Sequence, residues 1–363
     1  MVSDIFAIFP RYMRLWADFI HHLLVGPRTG LVSQHGRVLL IPSMVPDTPN
    51  FEVKDSSFFK KWNDLPTPQQ VREKAKAQWV AGTSLDKRKT LTYDGRHMRP
   101  PLVVFEEMGL VVKWGVLVGI PEAQSLYAVR RFLNGRVPVP EVYGWCIDGD
   151  EKFVYMQYMH GKTLEESWDS LEDHERHAVC QQLQAICNNL RELEQDPSDT
   201  FIGLCYSYTL KKKTIAEFLL GGILRNSLYD RVFPPDYLSE AGPFASVHEF
   251  HEWFTFLCRR PMADPHSIPI EPFRHELPDD SAIKFTHGDL HRSNIILTPS
   301  KPYSILALID WEQSGWLPEY WEVRKAQYTV DSEEWSTKYL PMILDQYPRT
   351  AYPWNWYTSS LGC

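Results

Sequence analysis

Residues 285 to 312 constrain this chain more than any other stretch. They read Phe285-Thr-His-Gly-Asp-Leu-His-Arg-Ser-Asn-Ile-Ile-Leu297, a turn, then Ser304-Ile-Leu-Ala-Leu-Ile-Asp-Trp-Glu312. Two apolar runs, Ile295–Leu297 and Ile305–Ile309, flank the turn formers Thr298-Pro-Ser-Lys-Pro302. That pattern predicts two antiparallel strands and a connection. Asn294 precedes the first strand and Asp310 follows the second, so both side chains belong at one open end, with Asp289 in the loop entering it. A hard cation such as Mg²⁺ takes oxygen ligands and commonly shares substrate phosphates. Asn294 and Asp310 suit that role, which leaves Asp289 to meet a hydroxyl, the arrangement expected of phosphoryl transfer.

These residues carry a resemblance. His287-Gly-Asp289-Leu-His291-Arg-Ser-Asn294 with Ile309-Asp310-Trp311-Glu312 is similar to the motifs of the aminoglycoside phosphotransferase and choline-kinase-like family. Gln313-Ser-Gly-Trp316-Leu-Pro318-Glu-Tyr-Trp321-Glu322 resembles the branch common in fungal genomes. The resemblance runs over roughly residues 100 to 345. It implies an α+β, bilobal protein-kinase-like fold, with a small antiparallel N-lobe sheet, one key helix and a larger, mainly helical C-lobe. Under that reading residues 1–95 are an N-terminal extension, 96–158 the N-lobe, 159–347 the C-lobe and 348–363 a tail.

Lys113 lies in the strand-like run Leu110-Val-Val-Lys113-Trp. Taken alone it reads better as an edge lysine snorkelling from the sheet. A carboxylate on the helix expected from Pro121 to Phe132 could instead hold its ammonium toward the α- and β-phosphates. The resemblance puts the family's strand lysine on Lys113 and its helix glutamate on Glu122. Gln157-Tyr158-Met159 falls where the lobes join, so backbone groups at Gln157 and Met159 are candidates for holding adenine, with Val111 and Ile296 as apolar faces for the base. No Gly-x-Gly-x-x-Gly precedes Lys113, which removes support for Walker-type and dinucleotide-binding readings. The cofactors implied are ATP and Mg²⁺, and the acceptor a small-molecule hydroxyl, since nothing after Asp310 matches the Ala-Pro-Glu signature of peptide-phosphorylating enzymes.

Composition narrows the alternatives. A net charge of -8 argues against nucleic acid as a partner. Six scattered cysteines without a Cys-x-x-Cys pair fit reduced thiols. No apolar run approaches the ~18 residues that span a bilayer, and Met1-Val-Ser-Asp4 is not a secretory leader. A soluble, cytoplasmic protein is expected. Residues 5 to 24 place Ile5, Ile8, Phe9, Tyr12, Leu15, Trp16, Phe19, Ile20 and Leu23 at helical spacing, read as a helix docking on its own protein. Residues 26 to 66 read as a connecting arm, and Thr67-Pro-Gln-Gln70 as a capped helix start. His174–Leu193 is the longest helical stripe.

Two other functions compete. A pseudokinase that only binds nucleotide predicts loss of Lys113, Asp289, Asn294 or Asp310, and all four are present. A metallohydrolase built on His287-x-Asp289-x-His291 needs further ligands downstream, and no histidine follows His291.

Overall fold

A computed structural model describes residues 37–80, 92–93, 96–97, 100–198, 200–202, 227–267, 269, 271–329 and 332–362. The helix expected over residues 5 to 24 lies outside these residues.

The small lobe is a five-stranded antiparallel sheet in the order Phe51–Glu52, Val142–Asp148, Glu151–Gln157, Leu110–Gly115 and Val103–Phe105. A hairpin forms its far edge. Val103–Phe105 turns through Glu106–Met108 and returns at Gly109, whose φ of 61° lies in the left-handed region that glycine enters freely. Two features depart from expectation. Val142–Asp148 is a full strand, and Phe51–Glu52, upstream of residue 96, supplies the sheet's other edge. Gly144 explains the second. A Cβ there would meet the Phe51 carbonyl oxygen at 2.6 Å, so only glycine lets this edge strand approach, and the register slips between Val142 and Gly144.

Helix Pro68–Val80 starts as expected. Thr67 Oγ1 accepts from the Gln70 N–H at 3.3 Å and Gln70 Oε1 from the Thr67 N–H at 2.8 Å. Helix Ile120–Phe132 is buried nearly all round, because one side packs on the sheet and another on the large lobe. Its Ser125 hydroxyl lies 2.9 Å from that of Ser314, which ties the helix to the segment following Asp310.

The large lobe is mainly helical. Asp173–Leu190 buries Val179, Leu183, Ile186 and Leu190 on one stripe. A second core gathers Phe250, Phe254, Trp321, Trp354 and Tyr357. Trp354 and Tyr357 come from helix Pro348–Ser360, so the stretch expected to be a tail is docked into this core. The connecting arm is also tied down, where Val38–Leu39 pairs in parallel with Leu193–Glu194. Cys146, Cys180, Cys187 and Cys258 are free thiols. Among the described residues no helix is long and apolar enough to cross a membrane. A small antiparallel lobe with one buried helix, joined at Gln157 to a helical lobe, is the bilobal protein-kinase-like arrangement.

Candidate active site

The central hairpin forms as its pattern predicts. Ile295–Leu297 pairs antiparallel with Ile305–Leu308, Ile295 opposite Leu308. The Ile309 N–H donates to the Asn294 carbonyl at 2.9 Å, which closes the open end and sets Asn294 and Asp310 side by side. Asp310 itself has φ 63° and ψ 60°. A non-glycine residue held there costs roughly 1–3 kcal/mol and concentrates at functional sites. The turn is braced from below by Trp311, fully buried, whose Nε1–H donates to the Leu308 carbonyl at 2.9 Å.

The loop bearing Asp289 is held by buried polar contacts. Glu322 accepts from the N–H of His287 at 2.7 Å and of Gly288 at 3.1 Å. His287 Nε2 meets the Ile309 carbonyl at 3.1 Å, and its Nδ1 accepts from the Asp289 N–H at 3.2 Å. These two residues are structural, as their sequence context suggests. Gly288, with φ 76°, passes so close to Gln313 that a Cβ would meet its carbonyl oxygen at 2.4 Å. Asn294 Nδ2 donates to the Asp289 carbonyl at 2.9 Å and to Asp289 Oδ2 at 3.1 Å. The amide thereby fixes the carboxylate and leaves its own Oδ1 toward Ser293 Oγ, no closer than 3.5 Å.

From the small lobe, Lys113 reaches the same place. Its Nζ lies 2.7 Å from Glu122 Oε2, 2.5 Å from Asp310 Oδ1 and 3.4 Å from Glu312 Oε2. Oxygens of Glu122, Asp310 and Glu312 fall within 4.8 Å of one another, and the ammonium is the cation among them. Burial alone would strip the proton from Lys113. Asp310, Glu122 and Glu312, in that order, outweigh it and drive its pKa up. Burial pushes Glu122 up to about 7 against the pull of Lys113, with Asp310 and Glu312 adding to the rise.

Glu312, which meets both Lys113 and Arg231, is therefore in the site. Arg292, although inside the motif, is turned away from solvent. Its side chain is buried with the guanidinium 5.5 Å from the Trp168 ring and 5.6 Å from the Trp335 ring. His291 caps the turn locally, its Nδ1 2.8 Å from Ser293 Oγ.

At the lobe junction Gln157 and Met159 are half-buried. The Gln157 N–H donates to the Glu141 carbonyl at 2.8 Å and the Tyr158 N–H to the Gly109 carbonyl at 2.9 Å. Both donors are thus engaged within the lobe, and the Met159 backbone is left as the candidate donor for a purine. Val111 is buried on the lysine strand opposite Met156, and Ile296 is buried on the hairpin opposite Ala307. They come from opposite lobes, as two faces of a base site require.

One residue was not visible in the sequence. Arg231 sends Nη2 to within 2.5 Å of Glu312 Oε1 and 3.8 Å of Asp310 Oδ2, with Nη1 3.7 Å from Asp289 Oδ2. One guanidinium thus spans the carboxylates at 289 and 310, so the two point into a common space. The donor set fits Mg²⁺, since an amide oxygen and a carboxylate are the hard ligands it takes.

Residues 270–355, which contain the whole hairpin and its loops, match the phosphotransferase enzyme family model. No curated protein matches the chain. Among solved structures it is similar to an aminoglycoside-3'-phosphotransferase of type VIII at 14% identity, covering 80% of this chain and 98% of that one, with a TM-score of 0.42. It is also similar to a thermostable mutant of aminoglycoside phosphotransferase APH(4)-Ia, apo form, at 16% identity over 77% of this chain and 86% of that one, TM-score 0.41. A third is the streptomycin-ATP-APH(2")-IIa ternary complex, at 14% identity over 72% and 76%, TM-score 0.38.

Proposed function

We propose that this chain, whose residues 270–355 match the phosphotransferase enzyme family model, transfers the terminal phosphoryl group of ATP to a hydroxyl of a small molecule. The observation that carries the reading is the junction of lobes at Lys113. A sheet lysine paired to a helix glutamate at 2.7 Å also meets, at 2.5 Å, the carboxylate expected to hold metal. Phosphoryl transfer needs these parts within one phosphate's reach of each other, because its rate comes mostly from positioning and charge stabilisation.

Asn294 Oδ1 and Asp310 would hold Mg²⁺, which when bound offsets charge on the β- and γ-phosphates. Lys113 binds the α- and β-phosphates and is kept protonated by its carboxylate neighbours. Asp289 orients the acceptor and takes its proton as the acceptor oxygen bonds to the γ-phosphorus and the bond to the bridging oxygen breaks, releasing ADP. The Asn294 amide holds Asp289 in the aiming position while this occurs. Resemblance of fold does not transfer an acceptor.

The test is a screen of metabolite extracts with ATP labelled in its γ-phosphate, read by mass shift. A labelled phosphomonoester that appears with the wild-type protein and not with Asp289→Asn is the expected result. Nucleotide binding with no transfer to any extract and no ATP hydrolysis would point instead to a binding module.

A further inference from the structure

We infer that Arg231 is a ligand of the transferred phosphoryl group, supplied within the chain from the side of the site opposite Lys113. This rests on the phosphotransferase reading above and adds a component that the sequence motifs do not contain.

Placement is the first argument. Arg231 Nη2 is anchored on Glu312 at 2.5 Å, while its approaches to Asp289 and Asp310, at 3.7 and 3.8 Å, are too long for hydrogen bonds. An edge of the guanidinium therefore faces the space between the proposed base and the proposed metal ligand. The phosphate that occupies that space is the one being transferred. A planar guanidinium suits the oxygens of such a group better than a point charge does.

The second argument is how the residue is held. Its own N–H donates to Gln313 Oε1 at 2.9 Å. The preceding residue, Asp230, is buried and accepts from Lys325 Nζ at 2.5 Å and from Trp321 Nε1 at 2.9 Å. Lys325 donates in turn to Gln313 Oε1 at 2.9 Å. Buried charges of this kind contribute little net stability over apolar packing. Here they fix one backbone position, immediately before Arg231, against the segment that follows Asp310.

The third is charge. Lys113 pairs with Glu122 and Asp310, and Arg231 with Glu312 and, at longer range, Asp289. An arginine stays charged at any working pH. Lys113 lies on the Glu122 side of the site and Arg231 on the Asp289 side.

Titration calorimetry with Mg·AMP-PNP and Mg·ADP separates the possibilities without a known acceptor. A charge-assisted hydrogen bond is worth about 1.5–3 kcal/mol, so Arg231→Gln should weaken Mg·AMP-PNP by at least about tenfold and leave Mg·ADP within about twofold. Arg231→Lys should recover part of the difference; since the side chain is 46% exposed, both variants should fold. Equal weakening of the two nucleotides, or no weakening, overturns the inference. Tighter binding of both overturns it too, and would make Arg231 a guanidinium that metal must displace. If the wild type binds neither nucleotide, the parent reading fails and takes this one with it.

Discussion

Asp289→Asn should lower phosphoryl-transfer turnover by about 10²–10⁴-fold, the usual contribution of a positioned acid or base, with little change in the KM for ATP. The carboxylate is buried, with its Oδ2 3.1 Å from Asn294 Nδ2, so its orientation is fixed before an acceptor arrives. An amide at 289 is nearly the same size and can still accept from Asn294 through its oxygen. It cannot take a proton from the acceptor. The loss should therefore fall on kcat, and the melting temperature should stay near that of the wild type. A loss confined to KM for nucleotide would reassign Asp289 to the phosphate site.

The second large effect is on stability. Lys325→Met should destabilise the protein by about 3–5 kcal/mol, because it leaves a buried carboxylate without its partner. Asp230 and Lys325 are each about 1% exposed and meet at 2.5 Å. The methionine fills most of the lysine's volume, so the loss measured by urea denaturation reports the stranded charge rather than a cavity. The double variant Asp230→Asn with Lys325→Met removes both charges and should recover much of the difference. A single-variant loss below about 1 kcal/mol would mean that water reaches Asp230, contrary to its burial. Because this pair fixes the backbone at Arg231, Lys325→Met should also weaken Mg·AMP-PNP more than Mg·ADP.

What the sequence could reveal follows from how local each feature is. The hairpin at Ile295–Leu297 and Ile305–Leu308 announces itself, since its strands, its turn and the residues at its ends are contiguous. The capped helix at Pro68 and the lysine strand are local in the same sense. Strand Val142–Asp148 is obscured by Gly144, whose presence is explained only by Phe51 passing over it from 93 residues away. Helix Pro348–Ser360 carries an internal Pro353, which breaks the helical pattern, and its packing on Trp321 supplies what propensity does not. Arg292 sits inside the motif, but two tryptophans brought in from residues 168 and 335 decide its environment. Arg231 is the extreme case. Nothing around it in the sequence marks it, and its three carboxylate partners lie 58 to 81 residues downstream.

Phosphoryl transfer at this site depends on a divalent ion shared by Asn294 and Asp310. Anomalous scattering from crystals grown with Mn²⁺ and AMP-PNP locates that ion without any knowledge of the acceptor. The account predicts a single strong peak roughly 2.1 Å from both Asn294 Oδ1 and a carboxylate oxygen of Asp310, with the remaining ligands drawn from phosphate oxygens and water. A peak held by Glu122 and Glu312 in place of Lys113, or nucleotide bound with no peak between residues 294 and 310, would contradict it.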